Sequence, residues 1–272
     1  MHPVGQILPK QVTSASLYDS NLFLHLDAGD SGSYPGSGST WYDLTANSFD
    51  FTLGNVSYDS TYGALIFSGT NSYAQRNNQI NTLFDFRNLT TGDFSVEFWV
   101  YLDDKTNTND YFACLGFGNG TVSTTYWQWR VLHYYNSGTY DSWIGCTIIK
   151  ANNVWDTWML AEGPSGGGSY TSSHSATTWY QFVFTYDIST NTFVAYQNGY
   201  DVGGYYQHND GVNSYRTPNT AWDDMGIGSA DPNAGNYLSL DGRLAIVRFY
   251  DECIPASAVE GNWNYNKSRF GY

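Results

Sequence analysis

The stretch Trp179–Gly199, WYQFVFTYDISTNTFVAYQNG, leaves few folds open to the chain. Tyr180, Phe182, Phe184 and Tyr186 recur with period two and line one face of an extended strand, while Gln181 and Thr185 mark a more polar opposite face. Asp187, Ser189, Thr190 and Asn191 supply turn chemistry. Phe193, Ala195 and Gln197 then alternate with Val194, Tyr196 and Asn198 on a return run that should pair antiparallel with the first. Asn198-Gly199 tolerates positive φ at both positions, as a tight type I′ turn requires, so a second reversal leads into a short run after Tyr200. The neighbours of this meander must cover its aromatic face.

The same period recurs along the chain. Leu22, Leu24 and Leu26 alternate with Phe23, His25 and Asp27, and Leu65-Ile66-Phe67 reads as a short buried strand. In DFSVEFWVYL, Phe94, Val96, Phe98, Val100 and Leu102 share one face and Glu97, Trp99 and Tyr101 the other, the pattern of a central strand. TYWQWRVLHYY and DSWIGCTIIK predict two more strands with aromatic faces, and GRLAIVRFY, apolar on both sides apart from Arg243 and Arg248, predicts an inner one. Phe94, Val96, Phe98, Phe182, Phe184, Ile246 and Phe249 are the expected core. Pro255 opens one short helix that runs to Glu260, before Asn262. The residues therefore predict an all-β fold of two antiparallel sheets packed face to face, with a short C-terminal helix and a single core.

Partners are narrowed by charge. The 25 acidic and 11 basic side chains give a net charge of −14, which repels phosphate backbones and anionic lipid, so no nucleic-acid partner is expected. No run of about eighteen apolar residues occurs, and Pro3 and Pro9 interrupt MHPVGQILPKQ where a secretory signal would be continuously apolar. A chain made in the cytoplasm without a signal peptide, and without membrane insertion, is expected. Yet 18% aromatic against 13% charged residues, with many Asn, Ser, Thr and Gly, is the make-up of an exposed adhesive surface. Cys114, Cys146 and Cys253 lack metal-ligand spacing and read as free thiols. Residues 1–17 have two prolines but also Val4, Ile7, Leu8, Val12 and Leu17, so they read as an extended arm that gains from burial, either docked on a partner or folded back along the domain at 18–272.

LHLDAG, SYPGSGSTWYDLT, DFSVEFWVYL, WYQFVFTYD with its Asn198-Gly199 turn, and GRLAIVRFYDECIPASAVEGNWNYNKSRFG together resemble the LamG-like jelly-roll family of the concanavalin A-like lectin/glucanase superfamily, from Leu22 to Gly271. The resemblance implies a jelly-roll sandwich that serves lectins, adhesion modules, glycosidases and lyases alike. The opening LDAG…SYPGSGSTWYDL and the closing NYNKSRFGY are, in addition, similar to tailed-phage proteins. That likeness implies a virion structural protein, on the particle exterior as capsid decoration or a tail- or fibre-associated part. Its partners would be other virion proteins, reached through the arm, together with host-surface glycans and a second copy of the chain. A free lectin-like adhesion module is the rival reading and a polysaccharide-cleaving enzyme the third.

Glucanases of the superfamily carry an array close to E-x-D-x-x-E on one strand, and no such run occurs: Glu97 stands alone, and Asp103-Asp104 are adjacent and point apart. Gln128, Arg130, His133 and Tyr135 offer the residue types of a jelly-roll lyase without the motifs of that family. No enzyme activity is expected. Trp127, Trp129, Tyr134, Tyr135, Tyr140 and Trp143 are the candidate carbohydrate-binding residues, because sugar C–H faces stack on aromatic rings; alternate positions of the same strands must face the core. No cofactor is required. The resemblance allows Ca2+ at Asp231, Asn233, Asn236 and Asp241, residues that equally serve as turn formers.

Overall fold

The computed structural model describes residues 16–79, 82–104, 109–115, 128–136, 141–151, 155–162, 175–203, 205–207, 214–215, 217, 224–229 and 239–272. The strands are β1 (Leu22–Asp27), β2 (Thr40–Trp41), β3 (Phe51–Gly54), β4 (Ser57–Asp59), β5 (Ala64–Ser68), β6 (Tyr73–Arg76), β7 (Phe94–Leu102), β8 (Asn109–Leu115) and β9 (Trp129–Asn136). They continue as β10 (Asp141–Ile149), β11 (Trp155–Glu162), β12 (Trp179–Asp187), β13 (Thr192–Gln197), β14 (Tyr200–Asp201), β15 (Tyr205–Gln207), β16 (Met225–Ile227) and β17 (Asp241–Tyr250), followed by helix α1 (Ala256–Asn266). One sheet runs β14-β13-β12-β7-β17-β5-β4, with β1 also on β17; the other runs β15-β11-β10-β9-β8-β16-β6-β3-β2. All pairings are antiparallel, as the meander predicts.

The turns follow the expected chemistry. Asp187 Oδ1 accepts from the Ser189 and Thr190 amides at 2.8 and 3.1 Å, and Asn198 and Gly199 both have positive φ, 54° and 84°. Between the sheets lie Phe94, Val96, Phe98, Phe182, Phe184 and Phe249 from one side and Phe112, Leu115, Val131, Ile144 and Ile148 from the other. Phe98 meets Phe112 across the gap at 5.9 Å between ring centroids. Ile246 is a correction. The pairing of β17 with β7 slips between Leu244 and Ile246, and this bulge turns Ile246 to the opposite face, against Trp99 and Trp263.

That opposite face is itself buried, where the alternation predicts half-exposed strands. Helix α1 and the turn after it cover it: Trp263 stacks on Trp99 at 5.1 Å with 7° between the planes, and Phe270 stacks on Trp99 at 4.4 Å. The helix also runs beyond Glu260 to Asn266. Its N-cap, Pro255, makes no side-chain capping bond, so tertiary contacts of Asn262 and Trp263 with the sheet carry it. Residues 1–15 of the expected arm lie outside the described residues. From Ser16 the chain lies on α1, with the Tyr18 amide donating to Asn262 Oδ1 at 2.9 Å.

Candidate functional site

The strands β9 and β10, which carry candidate aromatics, belong to the nine-stranded sheet, and an exposed ring would stand on its outer face. The pairing register runs one row straight across it: Thr52, Gln75, Gly226, Cys114, Arg130, Thr147, Thr157 and Gln207. Directly paired residues share a face; along the row Thr52 is exposed, Gln75 and Arg130 are half-buried, and Gly226, Cys114, Thr147 and Thr157 are buried. Beside the row, Tyr111, Leu132 and Ile149 join Cys114 in a buried apolar cluster, and Tyr134 and Trp143 stand half-buried at its margin. Tyr134 and Trp143 are paired across β9 and β10 with ring centroids 5.1 Å apart. Arg130 Nη1 donates to the Tyr111 hydroxyl at 2.8 Å, and burial holds that phenol above its ordinary pKa.

Trp129 does not belong to this surface, which corrects its assignment as a sugar-binding residue. It is fully buried between the sheets, stacked on Phe86 at 4.8 Å, with Nε1 donating to the Phe84 carbonyl at 2.8 Å. Arg130 was the available signal, since a charged residue marks the outward parity of β9 and sends Trp129 and Val131 inward. Tyr135 follows Tyr134 on the opposite face and is half-buried. Trp127 and Tyr140 lie outside the described residues. Tyr134 and Trp143 are thus the two candidates that the fold brings together.

The lyase-like residues are not assembled. Gln128 is buried and accepts from the Phe86 amide at 2.9 Å while donating to Asp85 at 2.8 Å. His133, also buried, is bonded through Nδ1 to Asp110 at 3.0 Å, on the face of β9 away from Arg130. Glu97 is equally occupied. Its Oε1 accepts from Arg248 Nη1, Gln181 Nε2 and Trp99 Nε1 at 3.1, 2.8 and 3.1 Å, and its Oε2 accepts from Asn262 Nδ2 at 2.8 Å. Glu97 and Arg248 are both fully buried beneath α1. His25, paired with Arg248, is pushed down to about 3, first by burial and then by the guanidinium, so it is neutral in ordinary buffers.

Of the calcium candidates, Asp231, Asn233 and Asn236 lie outside the described residues. Burial, and then Asp110, Asp103 and Asp104, raise the pKa of Asp241. Its neighbours are engaged: Asp110 accepts from the Asp241 amide at 2.9 Å and binds His133, while Asp103 faces Arg243 at 3.4 Å. Among the described residues no group of three or more His, Cys, Asp or Glu is arranged to hold a metal ion. Cys114 and Cys146 are buried free thiols, and Cys253 is partly buried.

Sequence reasoning missed one feature of the same face. Beyond Gly226, Asp50, Thr52, Tyr73, Gln75, Arg76 and Asn77 line an open cleft of about 390 Å³. Short strands and ordinary polar residues hid it, because β3 and β6 are only four residues each.

Among solved structures, Trypanosoma rangeli sialidase in complex with a difluoro-nononic acid matches with a TM-score of 0.59 at 14% identity, over 99% of this chain and 37% of that one. The binding domain of botulinum neurotoxin serotype D/C matches at 0.55 and 12% identity, over 90% and 52%. A binding domain of botulinum neurotoxin DC in complex with rat synaptotagmin II matches at 0.55 and 11%, over 90% and 51%. These likenesses are of fold, and the chain spans about a third of the sialidase and half of the toxin domains. No curated protein matches the sequence. The family model described as the concanavalin A-like lectin/glucanases superfamily matches residues 68–260, most of the chain. With two packed antiparallel sheets and that match, the chain belongs to the concanavalin A-like lectin/glucanase superfamily.

Proposed function

We propose that this chain is a non-enzymatic glycan-binding module on the exterior of a virus particle. The observation that carries the adhesive part is the Tyr134–Trp143 pair, half-buried on two paired strands, with the half-buried Arg130 on the same face. Aromatic faces held in place by strands stack on sugar C–H groups at little entropic cost, and polar neighbours bond the hydroxyls. The absence of chemistry is supported by Glu97, whose carboxylate is committed to Arg248, Gln181, Trp99 and Asn262, and by the separation of His133 from Arg130 across β9.

The virion part rests on the segments that resemble tailed-phage proteins. In the fold these segments meet: Arg269 Nη1 reaches Asp27 Oδ1 at 2.6 Å. They therefore close the domain upon itself, whatever else they mark. In this reading the arm at residues 1–17 joins other virion proteins or a second copy, and the outer face meets host-surface glycans.

Mass spectrometry of purified intact particles tests the placement: the chain is expected among their proteins, and its absence refutes a virion role. Removal of residues 1–17 should leave a folded domain that no longer joins particles; normal incorporation of the shortened chain refutes the arm as anchor. Trp143→Ala is expected to abolish retention on immobilised host-surface glycans while the domain still unfolds cooperatively, at a somewhat lower temperature because Trp143 packs on the buried cluster. Full retention refutes the aromatic pair as the contact.

A further inference from the structure

Three of the groups that line the cleft between β3 and β6, on Asp50, Gln75 and Arg76, are anchored by hydrogen bonds. Asp50 Oδ1 accepts from the Asp43 amide at 2.9 Å, which fixes the carboxylate; its Oδ2 has no hydrogen bond among the described residues. Arg76 donates through Nη1 to the Asp50 carbonyl at 3.0 Å and through Nε to Gln79 at 3.1 Å, and lies 5.1 Å over the Phe49 ring. Its Nη2 likewise has no partner among the described residues. Gln75 Nε2 is tied to Asp224 at 2.9 Å, Thr52 is its direct neighbour across the strands, and Thr52 and Asn77 are exposed.

Tyr73 supplies a flat wall. Its ring lies over Gly54, its cross-strand partner: a Cβ there would come 2.3 Å from Tyr73 Cζ and 2.5 Å from Cε1. Glycine at 54 thus lets the ring rest on the sheet. The result combines an aromatic surface, a carboxylate oxygen, a guanidinium edge, two amides and a hydroxyl, of which the Asp50 carboxylate, the Arg76 guanidinium and the Gln75 amide are held by hydrogen bonds. Its volume of about 390 Å³ falls in the lower part of the range for small-ligand sites.

We infer that this cleft binds one neutral pyranose unit of a glycan, as a site separate from the Tyr134–Trp143 pair. The sugar C–H face packs on Tyr73. Vicinal hydroxyls donate to Asp50 Oδ2 and accept from Arg76 Nη2, and Gln75 and Asn77 bond further hydroxyls. The carboxylate offsets the guanidinium locally, and the chain carries −14 overall, so an uncharged sugar is favoured over a uronate or sialate. Tyr134 stands three strands from Gln75, roughly 14 Å across the sheet, so the two places titrate independently.

The test uses the full chain, amide chemical-shift mapping by NMR, and methyl glycosides of glucose, galactose and mannose at millimolar concentration, with methyl glucuronide and N-acetylneuraminic acid as charged comparators. At least one neutral glycoside should shift the Tyr73, Gln75 and Arg76 amides in a saturable way. Asp50→Asn and Tyr73→Ala should each weaken that binding about tenfold or more, while Tyr134→Ala leaves it unchanged. Gly54→Ala, which displaces the ring and retains every lining side chain, should weaken it comparably. Shifts confined to Tyr134 and Trp143, lost in Tyr134→Ala and kept in Asp50→Asn, overturn the cleft and spare the proposed function. Saturable shifts from the charged sugars alone overturn the neutral ligand class. Silence at both places overturns both readings.

Discussion

Replacement of Glu97 by Gln probes the one place where the fold holds a buried charge pair. The substitution preserves shape, so cavity formation is not part of its cost. Each group bonded to Glu97 Oε1 is a donor, namely Arg248, Gln181 and Trp99, and Asn262 donates to Oε2. A glutamine has one acceptor oxygen: in one orientation its NH2 group faces the donors Arg248, Gln181 and Trp99, and in the other it faces the Asn262 amide beside the Tyr250 hydroxyl, which already accepts from Asn262 at 2.9 Å. Arg248 already has Nε and Nη2 buried without a partner, which leaves Glu97 as its sole countercharge contact among the described residues. A buried charge stripped of its partner costs about 3–5 kcal/mol, against a total stability of about 5–15 kcal/mol for an ordinary domain. Urea unfolding followed by tryptophan fluorescence at pH 7 should show the loss, and Trp99, which bonds Glu97 and stacks on Trp263, should report it locally. Arg248→Met alone should be of similar severity. The double variant E97L/R248M should recover more than half of the loss, because removing both partners spares the desolvation of either charge. A loss below about 1 kcal/mol for Glu97→Gln, or a double variant worse than both singles, refutes the reasoning.

Phe98→Ala should cost about 3–5 kcal/mol by chemical denaturation, since the ring is fully buried against Phe112 and Phe249; an unchanged midpoint would remove Phe98 from the core. Asp241→Asn should raise the melting temperature at pH 7 and leave it nearly unchanged at low pH. The folded-state pKa of Asp241 lies above its ordinary 3.8, so folding favours the protonated form; the penalty for ionising is absent below the unfolded value and is complete once pH has risen through the folded one. A gap that is constant with pH would sink this account. Purified protein should release neither reducing ends nor unsaturated uronates from laminarin, agar or alginate, and product formation lost in His133→Ala or Glu97→Gln would overturn the non-enzymatic reading.

The sequence by itself determined the strands, because the facing of side chains in a strand is a local rule with period two. Phe94, Val96 and Phe98, or Phe182 and Phe184, could face only one way, and Asn198-Gly199 could make only a tight reversal. It also held the inward parity of Trp129, legible from Arg130 beside it. Tertiary structure decided what lies against each face. The alternation of Gln181 and Glu97 with aromatics reads locally as a solvated side, yet α1 covers it and turns those polar residues into a closed network, because only packing brings Asn262 and Trp263 to them. The bulge that reverses Ile246 depends on the register of β17 against β7, a long-range pairing that β17 alone does not encode. The cleft at Asp50, Tyr73 and Arg76 was hidden for the same reason. Its residues come from β3, β6 and the segments beside them, and their common face exists only once the antiparallel register sets Thr52 against Gln75 and Gly54 against Tyr73.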